Sequence, residues 1–159
     1  MQGRQVATIC VVCGQIRIVF SKRDTARYVP SYNYNYSPFP LESLDLVYGD
    51  KNVYSTVRDL LRWNEALQKG SFVSLATLEN MAYQPYSNET RGVKNYGLGW
   101  HLYFPKDEPP VIYHNGWWHG NNTVFKRLIS DHAVVIILGN RRSEEHTSEL
   151  QSRQYLVCR

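Results

Sequence analysis

From Tyr96 to Leu138 the chain runs through strand-length segments whose connections are too short to hold a helix. Parallel strands need crossovers of a dozen or more residues, so an antiparallel sheet is the arrangement open to this stretch. The segments are Tyr96–Phe104, Val111–Asn115, Thr123–Ile129 and His132–Leu138, with Pro105–Pro110 as a turn between the first two. His132–Leu138 is a nearly continuous apolar run, which predicts a strand buried on both faces. Ahead of them lies the best helix signal. Thr56 is a good N-cap and Asp59 stands at N3, close to a capping box. Val57, Leu60, Leu61 and Leu67 follow along one side at helical spacing. Lys69 suits the negative helix end and Gly70 the left-handed stop. Ser74 caps a second short helix, with Leu75, Leu78 and Met81 expected to face inward. The expectation is an α+β layer, helices followed by an antiparallel sheet. Residues 28–48, rich in Tyr, Asn and Pro, read as an irregular loop packed through its aromatic rings.

At 159 residues there is room for one modest domain. The net charge of +4 comes from scattered basic residues, so no nucleic-acid partner is expected. No apolar run approaches the roughly 20 residues that cross a bilayer, and the N-terminus lacks the pattern of a secretion signal. Cys10 and Cys13 have metal or redox spacing, but no second pair accompanies them. Among the histidines, His114 and His119 are five apart with no carboxylate near them in sequence. No metal and no organic cofactor are therefore expected.

The stretch that can carry chemistry is Tyr113-His114-Asn115-Gly116-Trp117-Trp118-His119-Gly120. Acyl transfer needs donors aimed at a developing oxyanion, and a strand edge supplies backbone N–H groups. A glycine there lets a substrate approach the backbone closely. A histidine beside it can hold a proton near a nucleophile or bind a substrate carboxylate. Taken alone, the same histidine also fits a structural role in a strand.

Three blocks, in order, resemble the serine β-lactamase and penicillin-binding-protein-like hydrolases, particularly their class C-like and esterase-like branch. Ser55-Thr-Val-Arg-Asp-Leu-Leu-Arg-Trp63 looks like the family's Ser-Thr-x-x-Asp-Leu helix start. Tyr96-Gly-Leu-Gly-Trp100 looks like its Tyr-Gly-x-Gly-Trp strand. His114-Asn-Gly116, with Gly120 beyond, looks like its Lys-Thr-Gly or His-x-Gly element. The resemblance covers roughly residues 23–140 and implies a partial β-lactamase/transpeptidase-like fold. It implies that His114 supports the nucleophile and engages a substrate carboxylate. It makes the backbone N–H of Trp117 one of two oxyanion donors, and Asn115, Gly116 and Trp118 substrate-binding residues. The adjacent Trp117 and Trp118 are bulky for a small-ring pocket and would favour a larger ester, amide or peptide.

The departures are equally informative. The family's nucleophile sits in Ser-x-x-Lys. None of Lys22, Lys51, Lys69, Lys94, Lys106 or Lys126 has serine three residues before it, so the nucleophile is absent. Tyr86-Ser-Asn88 spells the family's Tyr-x-Asn but lies too close to His114 in sequence, and reads as chance. Arg142–Arg159 is similar, codon by codon, to the translation of a common sequencing-library adapter. The expected organisation is thus an unassigned or mis-joined 1–22, a hydrolase portion at 23–141, and an adapter-derived tail at 142–159. The chain itself is expected to turn nothing over, and its unpartnered strand edges to promote aggregation. The parent would act on a small-molecule or peptide acyl substrate in the periplasm or cell envelope. The rival reading is a non-catalytic, aromatic-rich module that binds carbohydrate or peptide.

Overall fold

The computed structural model describes residues 29–42, 45, 53, 55–86 and 93–142. The unassigned residues 1–22, all three cysteines and residues 143–159 lie outside these described residues. Helix α1 spans Val57–Gln68 and α2 spans Leu75–Thr77, which runs on into a π-helical turn at Leu78–Ala82. Five strands follow: β1 (Lys94–Tyr96), β2 (His101–Tyr103), β3 (Val111–Trp118), β4 (Asn121–Leu128) and β5 (Ala133–Gly139). They form one sheet in the order β1-β2-β3-β4-β5, every pair antiparallel. Helices followed by an antiparallel sheet make this an α+β fold.

The ends of α1 follow from local chemistry. The Thr56 hydroxyl accepts the Asp59 N–H at 3.1 Å and donates to the Asp59 carboxylate at 2.9 Å. One orphan donor of the first turn is satisfied in this way. Gly70, at φ +62°, takes the left-handed position after the C-cap, and its N–H reaches the Leu67 carbonyl. The buried face of α1 carries Leu60, Asn64 and Leu67. Val57 is exposed and is not part of that stripe, because it stands at the first helical position, before the helix settles on the sheet. Only Leu78 of the second helix's expected inward trio is buried; Leu75 and Met81 are exposed. The π-helical turn changes the angular spacing of its residues, so the simple helical period misplaces them.

The core lies between α1 and one face of the sheet. Leu60, Leu67, Leu78, Trp100, Leu102, Ile112, Phe125 and Val134 form it. In register, Leu102, Ile112, Arg127 and Val134 line up across four strands, and His114, Phe125 and Ile136 form the next row. His114 therefore shares the core face. The expected strand Tyr96–Phe104 is broken in two, because Gly97–Trp100 makes a tight turn in which Gly99 has φ +76°. A Cβ on Gly97 would meet the Ala82 carbonyl oxygen at 2.1 Å, so the turn packs directly on the helical layer. In β5, Ala133, Val134 and Val135 are buried and the following residues are half-buried, so the strand is sealed on both faces at its start alone.

Candidate active site

The predicted strand ending at Asn115 extends to Trp118, which places His114 in mid-strand. The pairing with β4 continues through Gly116↔Thr123 and Trp118↔Asn121, and His119–Gly120 closes a two-residue hairpin. His119 has φ +52° there. A Cβ on Gly120 would come within 2.2 Å of the Tyr32 carbonyl oxygen, so the second glycine of the motif serves close backbone packing.

β2 pairs with β3 only as far as His101↔Tyr113. Beyond Tyr113, no strand among the described residues lies on that side of β3. The register decides which groups face this open edge. On β2, the Phe104 N–H binds the Val93 carbonyl, and the Trp100 carbonyl accepts from Gly97. Even-numbered residues there bond toward β1, so odd-numbered ones bond toward β3. His101↔Tyr113 and Tyr103↔Val111 are then the hydrogen-bonded pairs. Alternation along β3 turns the backbone groups of Asn115 and Trp117 to the open edge, and those of His114, Gly116 and Trp118 to β4.

The side chains divide differently. His114 is 7% exposed, with Nε2 at 3.2 Å from the Tyr96 hydroxyl. Its Nδ1 is buried without a properly aligned hydrogen-bond partner. The His101 ring lies 5.6 Å from it and stacks on Tyr113 at 5.0 Å, while Tyr96 meets His101 edge-on at 4.7 Å. Burial holds the His114 imidazole below its usual range, and the neighbouring His101 adds to this; the Asn115 backbone opposes it. Burial also lowers His101. His114 is therefore neutral near pH 7.

Trp117 is 64% exposed, its ring 5.5 Å from the Arg142 guanidinium. Trp118 is half-buried, and its indole N–H donates to Asp45 Oδ1 at 2.5 Å. Asp45 Oδ1 also lies 3.3 Å from His119 Nε2, and its Oδ2 accepts the Glu42 N–H at 2.7 Å. Asp45 thus anchors the tip of the hairpin. Asn115 has its side-chain oxygen buried without a hydrogen-bond partner. The four described histidines do not converge: His119 belongs to the Asp45 anchor and His132 to the β4–β5 turn. Among the described residues no group of three or more His, Cys, Asp or Glu could hold a metal. Sequence reasoning missed Asp45, whose partner Trp118 is 73 residues away, and the pairing of Tyr96 with His114. The place of Tyr96 at the start of the Tyr-Gly-x-Gly-Trp block was the available signal.

Behind His114 a cavity of about 250 Å³ opens between the helices and the sheet. Leu60, Leu67, Leu78, Trp100 and Phe125 form buried parts of its wall, and Phe72, Met81 and Leu98 are exposed along it.

A family model described as beta-lactamase matches residues 18–156. That span runs beyond Arg142 into the adapter-like stretch. The chain is also similar to penicillin-binding protein 4* of Bacillus subtilis (strain 168), at 32% identity over 101 residues. These are 64% of this chain and 22% of that relative, so the chain spans about a fifth of its length. The antiparallel sheet, the capped helix before it and the match over most of the sequence agree: this chain belongs to the β-lactamase family.

Proposed function

We propose that this chain is the portion of a serine hydrolase that supplies the oxyanion-side strand and its histidine for acyl-enzyme hydrolysis of amide, lactam or ester substrates. The observation that carries the reading is the orientation of the Trp117 N–H toward the open edge of β3, one strand position past the Gly116 approach and beside His114. A backbone donor fixed by strand pairing stabilises a tetrahedral oxyanion without reorganising during the reaction. His114, neutral and buried, would hold the proton of an incoming hydroxyl or receive it from a lysine partner. Asn115, Gly116 and Trp118 would border the substrate. The nucleophile and the second oxyanion donor belong to sequence outside this chain, so the chain alone does not form an acyl-enzyme. Residues 142–159 take no part.

A fluorescent penicillin tests this. The 159-residue chain is expected to show no covalent label after denaturing electrophoresis. Stable labelling at one of its own serines would overturn the proposal. The reading frame of the parent gene offers a second check: Ser-x-x-Lys followed by Tyr-x-Asn upstream of residue 23 is the expected pattern.

One observation favours the binding-module alternative. Trp117, Tyr34 and Tyr36 are exposed, and the Arg141 guanidinium lies 3.8 Å over the Tyr36 ring. Saturable quenching of Trp117 by a glycan or peptide, lost in Trp117→Ala, would support that reading.

A further inference from the structure

The tip of the β3–β4 hairpin stands outside the sheet on both sides. β2 leaves β3 after Tyr113, and the pairing of β4 with β5 ends at Asn122↔Gly139. Among the described residues, 118–121 therefore have only each other as strand partners. Two paired strands alone are marginal in water, so such a tip needs holding from outside. The tip also carries backbone strain, because His119 has φ +52°. A side-chain-bearing residue keeps that conformation where its surroundings over-determine it.

Those surroundings come from residues 31–45, and Asp45, 4% exposed, is their polar centre. Its Oδ1 accepts the Trp118 indole N–H at 2.5 Å and lies 3.3 Å from His119 Nε2. Its Oδ2 accepts the Glu42 N–H at 2.7 Å. Phe39 stacks on the His119 ring at 5.2 Å, and the Trp118 ring lies 4.6 Å from it. The Gly120 N–H reaches Ser31 Oγ at 3.3 Å, and the Tyr32 N–H donates to the Asn140 carbonyl just past β5. Hydrogen bonds to a carboxylate are stronger than those between neutral groups, so Asp45 fixes the tip more firmly than ring packing does. Trp117 stands between Gly116, paired with Thr123, and the tethered Trp118. The direction of its N–H depends on both neighbours.

We propose that Asp45 is a positioning residue: acting through Trp118 and His119, it holds the Trp117 peptide so that its N–H keeps facing the open edge of β3. Without the tether the tip can untwist, and the Trp117 N–H turns away with it. The inference deepens the acyl-transfer reading and rests on it in one respect, the use made of that N–H. The tether itself needs no nucleophile, so it can be measured on this chain.

The test is nuclear magnetic resonance on the isotope-labelled full chain and on Asp45→Ala. In the unmodified chain the Trp117 N–H is expected to be rigid, with an order parameter near about 0.85. In Asp45→Ala it should fall below about 0.6, and the Trp118 indole signal should shift as its acceptor is lost. The Trp118 and Gly120 amides should exchange with solvent roughly tenfold faster, the worth of one hydrogen bond, while those of α1 change less than about twofold. Asp45→Asn keeps one acceptor oxygen and should give the same pattern at reduced size. It decides the matter if Asp45→Ala does not melt cooperatively. A Trp117 order parameter unmoved in both variants would overturn the proposal. So would exchange that rises as much in α1 as in the hairpin, because Asp45 would then be general scaffold. None of these results depends on acylation, so a failure here leaves the penicillin-labelling test to judge the acyl-transfer reading on its own.

Discussion

Arg127 and His114 are neighbours on the same face of the sheet, both basic and both buried, yet their surroundings differ completely. Arg127 is 3% exposed. Its Nε donates to Asn64 Oδ1 at 2.8 Å, and a second guanidinium nitrogen donates to the Tyr83 hydroxyl. Its plane lies 5.8 Å from the Tyr83 ring and 5.9 Å from Trp100. Burial lowers the Arg127 pKa, and the Tyr83 oxygen works against that. His114 meets the Tyr96 hydroxyl and the Asn115 backbone and borders a cavity. A buried polar group whose bonds are made ties elements together, here α1 and the π-helical turn to β4. His114 ties no such elements together: its contacts stay within the sheet. The first is scaffold; the second is the residue proposed for the site.

That contrast can be broken by mutation. Arg127→Ala should have the largest effect, about 3 kcal/mol of lost stability, because the buried Asn64 and the half-buried Tyr83 lose their donor. Urea unfolding checks it; a loss below about 1 kcal/mol would mean that the arginine is no scaffold. Tyr83→Phe should cost less, about 1–2 kcal/mol, since Asn64 still holds the guanidinium. His114→Leu should be close to neutral, within about 1 kcal/mol, because the ring gives up weak contacts within the sheet and leucine adds apolar surface beside a cavity. A large loss there would place His114 with Arg127 as scaffold.

The pH dependence sharpens the same contrast. Burial holds His101 and His114 below the usual imidazole value in the folded chain. The unfolded chain then binds more protons as pH falls through about 6.5. Stability should be level above that pH and decline below it, until the lowered folded values are reached. Denaturant midpoints at successive pH values would show the slope, and His114→Leu should reduce it. A rise in stability on acidification would contradict the burial of these rings. The N-cap gives a calibration away from both sites: Thr56→Ala should cost about 1 kcal/mol at any of these pH values.

Much of the architecture was legible along the chain. The Thr56 cap, the Gly70 stop, the antiparallel meander and the turn at Pro105–Pro110 rest on contacts a few residues apart or on backbone preference. Leu75 and Met81 were misread because the helix widens at Leu78–Ala82, and a fixed helical period has no access to that. The strand through His114 was cut short because Gly116 reads as a terminator, whereas its backbone is held by pairing with Thr123. Arg127 gave no signal at all; its partners stand 63 and 44 residues away.

The sequence by itself determined that the chain would be helical and then antiparallel, and that positions 114–117 were the ones to watch. Those are statements about neighbours: capping, alternation, and which residue types can carry which chemistry. Only the tertiary structure decided which backbone groups of β3 face an open edge, that Trp118 is tethered to Asp45, and that His114 is buried against Tyr96 with a cavity beside it. Pairing register and burial depend on segments far apart in the chain, and distance in space is what a linear pattern does not record.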